Sequence, residues 1–374
     1  MLKYLALIIL VVFFCSAKAQ PTYQFHEQTK FNEDDSLRGT LNEFRKNYDV
    51  LLYDIYIKPD FNSKRIRGVT KIKIKTLSFA QTLQFDLQRP LEIESITIDN
   101  RLVKFIQYHD IFRIILEQPL TKNKIFEIGI TYKGKVKVAN RPPWDGGWIW
   151  AKDSLGRNWA SVACQNLGAS VWYPCKDHQS DEPDSGAILR IDVPKNLTAI
   201  GNGRLVNIID SPNSHIYVWK VTSPINNYNI VPYIGYYVNF TDTFNSKKGV
   251  LDLSYWVLDY HLLAAKHQFK DVKRMLQAFT YWFGDYPFYD DSYKLVDAPH
   301  LGMEHQSNIA YGNQFINGYK GYDLSETGWG LLWDYIIIHE SGHEWFGNSI
   351  TTNDIADMWV HEGFTYYSEV LFIE

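Results

Sequence analysis

Two histidines four residues apart can reach one point in space only where the chain between them is helical. His339-Glu340-Ser341-Gly342-His343 places that demand near the end of this sequence. A helix there puts both imidazoles on one face, where they can share a metal ion, with Glu340 turned far enough to reach a water beside it. The preceding Tyr335, Ile336, Ile337 and Ile338 are apolar, which suits a buried helix that keeps bulk water out. Further on stands Glu362, in His361-Glu362-Gly363-Phe364. A loop across 351–357 can turn the chain so that a second helix returns this carboxylate to the metal. Two histidines and one carboxylate leave a fourth position open to water, the pattern of a catalytic zinc, one ion per chain. Zinc lowers the pKa of its water from about 15.7 to about 7, and Glu340 is placed to take the proton as general base. Glu369 lies two helical turns beyond Glu362, on the same face, and can accept the free N–H of a ligand histidine. Asn348 is a second candidate for that role.

Ahead of the motif the apolar period is two. Residues 50–57 are rich in β-branched and aromatic side chains, and 69–74 alternate apolar with basic residues, as a half-buried strand does. Further strands fit 82–87, 93–98, 126–132, 187–193 and 216–221, while Pro142, Pro143, Gly146 and Gly147 mark a loop. Near residue 245 the period lengthens. Residues 261–281 predict a helix with Leu262, Leu263, Phe269, Val272, Met275, Leu276 and Phe279 to one side, followed by helices over 331–348 and 362–373. These patterns predict an α+β multidomain chain, with an antiparallel β-domain over 20–245 and a metal-binding domain over 246–374. The last helix runs to Glu374 with no stop signal, so the second domain is expected to be C-terminally incomplete.

The N-terminus predicts export. Lys3 gives a positive start, 5–14 form an apolar run, and Ala17-Lys18-Ala19 fits a cleavage site, so 1–19 read as a signal peptide and the mature protein as secreted or periplasmic. That run is too short to span a bilayer, and no later stretch is long and apolar enough to do so. Cys164 and Cys175 remain in the mature chain, either paired or as buried thiols. A formal net charge of −4 with no basic stripe excludes a nucleic-acid partner.

The run from His339 through His343-Glu344-Trp345-Phe346-Gly347-Asn348, with Trp359-x-x-Glu362-Gly363-Phe364, resembles the gluzincin zinc aminopeptidases of the aminopeptidase N and leukotriene hydrolase type. Upstream, Gly302-Met303-Glu304-His305 resembles that family's G-x-M-E-N motif. Gln165 and the segment from Trp172 to Asp177, ending at Asp181-Glu182-Pro183, resemble its substrate-site glutamine and P-C-x-D run. The run 228–237 fits the strand that closes the N-terminal domain. The resemblance implies a saddle-like β-domain followed by a thermolysin-like, mainly α catalytic domain. It also implies that Glu304, helped by Gln165, binds the free α-amine of a peptide substrate, and that backbone near Gly302 and Met303 lines that peptide as an added strand. Leu301 departs from the family's first motif glycine, and His305 from its asparagine. A catalytic tyrosine is expected well downstream of Glu362, beyond residue 374. The same zinc pattern serves endopeptidases, so the alternatives are an endopeptidase of this fold and a catalytically impaired homologue that binds peptides.

Overall fold

The alternation of apolar and charged residues is what builds the first half of the computed structural model, which describes residues 32–374. The expected signal peptide, 1–19, lies outside the described residues. In the strand Arg65–Thr76 the side chains of Ile72 and Ile74 are buried while Lys71 and Lys73 point to solvent, because successive strand residues face opposite sides. This strand sits in an eight-stranded sheet ordered Arg204–Asp210, Ser214–Val221, Ala187–Pro194, Tyr48–Asp60, Arg65–Thr76, Ile125–Lys135, Leu91–Ile98 and Arg101–Leu102. All its pairings are antiparallel except one: Tyr48–Asp60 runs parallel to Ala187–Pro194, with Tyr53 opposite Ala187. A three-stranded sheet (Ala80–Asp86, Phe105–Tyr108, Ile111–Leu120) and a four-stranded one (Gly147–Lys152, Asn158–Ala163, Thr198–Ile200, Tyr233–Gly235) share its core, around Tyr53, Phe85, Trp148, Trp172 and Tyr173. Cys164 and Cys175 lie in this core as free thiols. Of the run 228–237, Tyr233–Gly235 is strand and Tyr237 opens the next strand, while Asn227–Asn229 form a helical turn.

The second core is organised by a five-stranded mixed sheet, ordered Tyr237–Asn245, Val250–Leu258, Tyr293–Asp297, Ile309–Tyr311 and Gly302–Met303. Its first hairpin straddles residue 246. Val250–Leu258 and Tyr293–Asp297 run parallel, and parallel neighbours need a crossover connection. Here the crossover is helical and packs on the sheet. The helix expected over 261–281 is two, Leu262–Gln268 and Asp271–Phe283. The break at Phe269 rotates the two apolar faces apart, so Val272, Met275, Leu276 and Phe279 are buried while Leu263 is 82 % exposed.

The motif helix is Tyr335–Gly342, shorter than the 331–348 expected, and every one of its residues is buried. Its start is set by Asp334, whose carboxylate caps the N–H groups of Ile336 and Ile337 and also accepts from Tyr311 Oη, Gln268 Nε2 and Asn313 Nδ2. After Gly342 the chain leaves the helix through tight turns, Glu344 N to Ser341 O and Trp345 N to Gly342 O. The return helix, Trp359–Ile373, packs across it. Gly342 permits that approach, since a Cβ there would crowd Ser368 Oγ at 2.8 Å. Among the described residues, no helix is long and apolar enough to cross a membrane.

Asp334→Ala would leave five donors without their acceptor at a buried helix end. The expected loss of unfolding free energy is on the order of 3 kcal/mol or more, read from the urea midpoint of the variant against the parent.

Candidate active site

Asp334 fixes where the motif helix begins, and the helix fixes His339 and His343 one turn apart on the face that meets the return helix. Their rings stand 4.9 Å apart and nearly perpendicular. Polar atoms of His339, Glu340 and His343 all lie within 4.8 Å of one another. The first turn of the return helix brings Glu362 to the same point, with Oε2 3.5 Å from His339 Nε2 and Oε1 3.7 Å from His343 Nε2. Ligands held tetrahedrally about 2.0–2.2 Å from zinc lie roughly 3.3–3.6 Å from one another, so these three side chains fit that ion with little movement.

The other nitrogen of each ring is also occupied, and this sets the tautomer. His339 Nδ1 lies 2.6 Å from Glu369 Oε1. With Glu369 ionised its carboxylate can only accept, so Nδ1–H donates and Nε2 keeps its lone pair towards Glu362. His343 Nδ1 lies 3.0 Å from Phe346 O and 3.1 Å from Thr365 Oγ1, and donation to the carbonyl again frees Nε2. Tyr335 stacks on His339 with ring centres 5.4 Å apart and planes within 16°. Asn348 contacts neither imidazole. Its Nδ2 donates to the carbonyl of Glu304 at 2.8 Å and to Glu344 Oε1 at 3.3 Å, and its Oδ1 accepts from Asn229.

The charge balance of the cluster calls for a cation. Burial holds the His339 and His343 pKa below the ordinary imidazole value, so both are neutral donors. Burial, reinforced by Glu304, Glu362 and Glu369, pushes the Glu340 carboxyl well above its usual range. Burial likewise raises Glu369 to about 8. A divalent ion held by the two neutral imidazoles and Glu362 would offset this cost and favour the ionised form of the carboxyl groups around it. Glu340 is additionally confined by its neighbour: a Cβ at Gly302 would overlap its Oε1, so only glycine lets the edge strand lie this close.

Glu304 lines a cleft of about 370 Å³ that is also lined by His339, Glu340 and Glu362. Only 3 % of its surface is exposed. Oε1 accepts from Gln165 Nε2 at 2.6 Å and from Tyr228 Oη at 2.9 Å. Gly302–Met303 borders this cleft as the outermost strand of its sheet, paired only with Ile309–Tyr311. His305 points elsewhere: it is buried, with Nδ1 2.5 Å from Tyr233 Oη. Tyr228, Thr365 and the Phe346 carbonyl were not singled out by sequence. Tyr228 lay in a run read only as strand, and a carbonyl leaves no residue-type signal.

Buried His300 and His305 give the site's surroundings a pH dependence. Burial lowers His300 from 6.5 to about 4, and lowers His305 in the same direction. Between those values the unfolded chain binds the protons that the folded chain refuses, so their contribution is complete above pH 6.5 and is lost as pH falls towards 4. His300→Phe should make the change in unfolding free energy, read from urea unfolding, on going from pH 7 to pH 5 less destabilising than in the parent, by up to about 1.4 kcal/mol per pH unit; an unchanged slope would contradict it.

Comparison with known proteins is consistent in direction. Residues 267–374 match the peptidase family M1 domain. The chain is 22 % identical over 332 residues to probable aminopeptidase 1 of Sulfurisphaera tokodaii, covering 85 % of this chain and 38 % of that protein. It is 24 % identical over 270 residues to aminopeptidase B of Mus musculus, covering 71 % and 37 %. This chain therefore spans well under half the length of these relatives. The crystal structure of an M1 zinc metallopeptidase from Deinococcus radiodurans superposes with a TM-score of 0.73 at 20 % identity, covering 87 % of this chain and 70 % of that one, which shows a shared fold.

Proposed function

We propose that this chain, which belongs to peptidase family M1 among the aminopeptidase N-like gluzincins, is a zinc aminopeptidase that removes residues from the free N-terminus of peptides. The observation that carries this reading is one cleft lined by His339, Glu340 and Glu362, with His343 beside them, and also by the buried Glu304 carboxylate. With its expected signal peptide the protein acts outside the cytoplasm, secreted or periplasmic.

His339, His343 and Glu362 would hold one zinc ion. When bound, zinc supplies a Lewis acid that polarises the scissile carbonyl and acidifies water. Glu340, buried at the same point, takes the proton of the attacking water and hands it to the departing amine. Glu369 and the Phe346 carbonyl hold the imidazoles in the tautomers that leave Nε2 free. Gln165 and Tyr228 both donate to Glu304 Oε1, which holds the carboxylate in orientation. A peptide's α-ammonium then gains a charge-assisted bond that a blocked N-terminus cannot make. Main-chain groups of Gly302 and Met303, on the open edge of their sheet, line the peptide beside the reacting bond.

Two measurements test these assignments on the full chain. Metal analysis should find close to one zinc per chain, falling sharply in Glu362→Gln. Glu340→Gln should retain the metal and lose turnover by about 10²–10⁴-fold; loss of zinc in that variant would remove Glu340 from the role of base. In the second, peptides with a free N-terminus are compared with their N-acetylated forms. Free peptides should be strongly preferred, and Tyr228→Phe should raise KM more than it lowers kcat; equal cleavage of both forms would instead mark an endopeptidase.

A further inference from the structure

The catalytic cleft of about 370 Å³ has a larger neighbour, a cavity of about 680 Å³, and two residues line both, Leu301 and Trp144. Leu301 is 8 % exposed and immediately precedes the edge strand Gly302–Met303, so pairing of that strand with Ile309–Tyr311 holds it in place. Behind it the cavity is walled by Trp159, Tyr260 and Phe315. His300 also lines it, 7 % exposed and with no hydrogen-bond partner on either ring nitrogen.

On the cleft side the carboxylates are already assigned. Glu304 faces the amine, Glu340 the water and Glu362 the metal, which leaves none to neutralise a basic side chain. Met303 and Leu324 add apolar surface to the lining of the same cleft. A charged side chain entering there would be buried without a partner, which is costly. An aromatic one would need the volume that Leu301 closes off.

Resting on the aminopeptidase reading of the cleft, we propose that Leu301 determines the substrate class. It seals the cleft from the aromatic cavity, so the site takes peptides whose first residue is aliphatic and of middle size. Aromatic and basic first residues are refused, the first by the Leu301 wall and the second by the lack of a counter-charge.

Calorimetric titration of the full chain with free L-leucine, L-tryptophan and L-arginine tests this. These probes carry the α-amine and the side chain but no bond to cleave, so the ranking does not depend on turnover. Leucine should bind at least about tenfold more tightly than either competitor, the scale on which hydrophobic pockets discriminate. Leu301→Gly should join the two spaces and raise tryptophan affinity about tenfold or more, with arginine unchanged. Trp144→Ala, at an exposed wall position, should move tryptophan in the same direction and carries the test if the glycine variant fails to fold. Tryptophan or arginine binding best to the parent, an unaltered order in the variants, or no binding of any probe would overturn the proposal. The expected ranking without hydrolysis of any peptide would sink the aminopeptidase reading and leave the role of Leu301 standing. Hydrolysis confined to free N-termini with no leucine preference would do the reverse.

Discussion

The motif helix Tyr335–Gly342 is buried along its whole length, and a buried helix must find partners for the N–H and C=O groups at its ends. Everything at the site follows from how that requirement is met. At the start, one carboxylate, Asp334, satisfies two helix N–H groups and three side chains drawn from Gln268, Tyr311 and Asn313. The cap is therefore also a joint between the helix, the sheet and the crossover. At the far end the turns after Gly342 bring the Phe346 carbonyl back beneath His343. The same loop carries Asn348, which bonds the main chain of Glu304 and the side chain of Asn229. A helix held at both ends in this way carries its imidazoles in fixed positions, which a metal site requires.

The sequence disclosed those parts of the site that depend on local spacing. His339 and His343 are a helical interval apart on one helix, and Glu362 and Glu369 on the next, so each pair needed only its own helix to form. Glu362 required one turn of chain between two helices. What stayed hidden depends on contacts between distant segments. Tyr228 meets Glu304 across the two halves of the chain, and nothing in its neighbourhood distinguishes it from a packed tyrosine. The second sheet was hidden for another reason. Tyr293–Asp297 and Ile309–Tyr311 are buried on both faces, so they show no alternation, and a short apolar run of that kind cannot be assigned from period alone. The motif helix was read too long because Leu331 and Leu332 continue its apolar pattern, while Asp334, the residue that starts it, looks unremarkable until its partners are known.

The two halves are also joined by a buried amino group. Lys294 donates to the carbonyls of Gly201, Gly203 and Ser307 and lies over the ring of Trp219 at 4.2 Å. Ser307 in turn gives its N–H to Glu344, next to His343. Bonded in this way, the amino group ties the loop that follows Glu304 to both the β-rich half and the motif helix. The Glu304 carboxylate and the motif helix thus share one set of supports.

The edge strand Gly302–Met303 is two residues long and has a partner on one side only. A chain laid along so short a border meets peptide groups, and peptide groups are the same whatever side chains they carry. Beyond its first position, a bound molecule would find almost nothing in this border that distinguishes one amino acid from the next. Selectivity then concentrates at a single residue, and the remainder of the molecule can vary in composition without being noticed. Such a border can seat chains of unrelated sequence equally well.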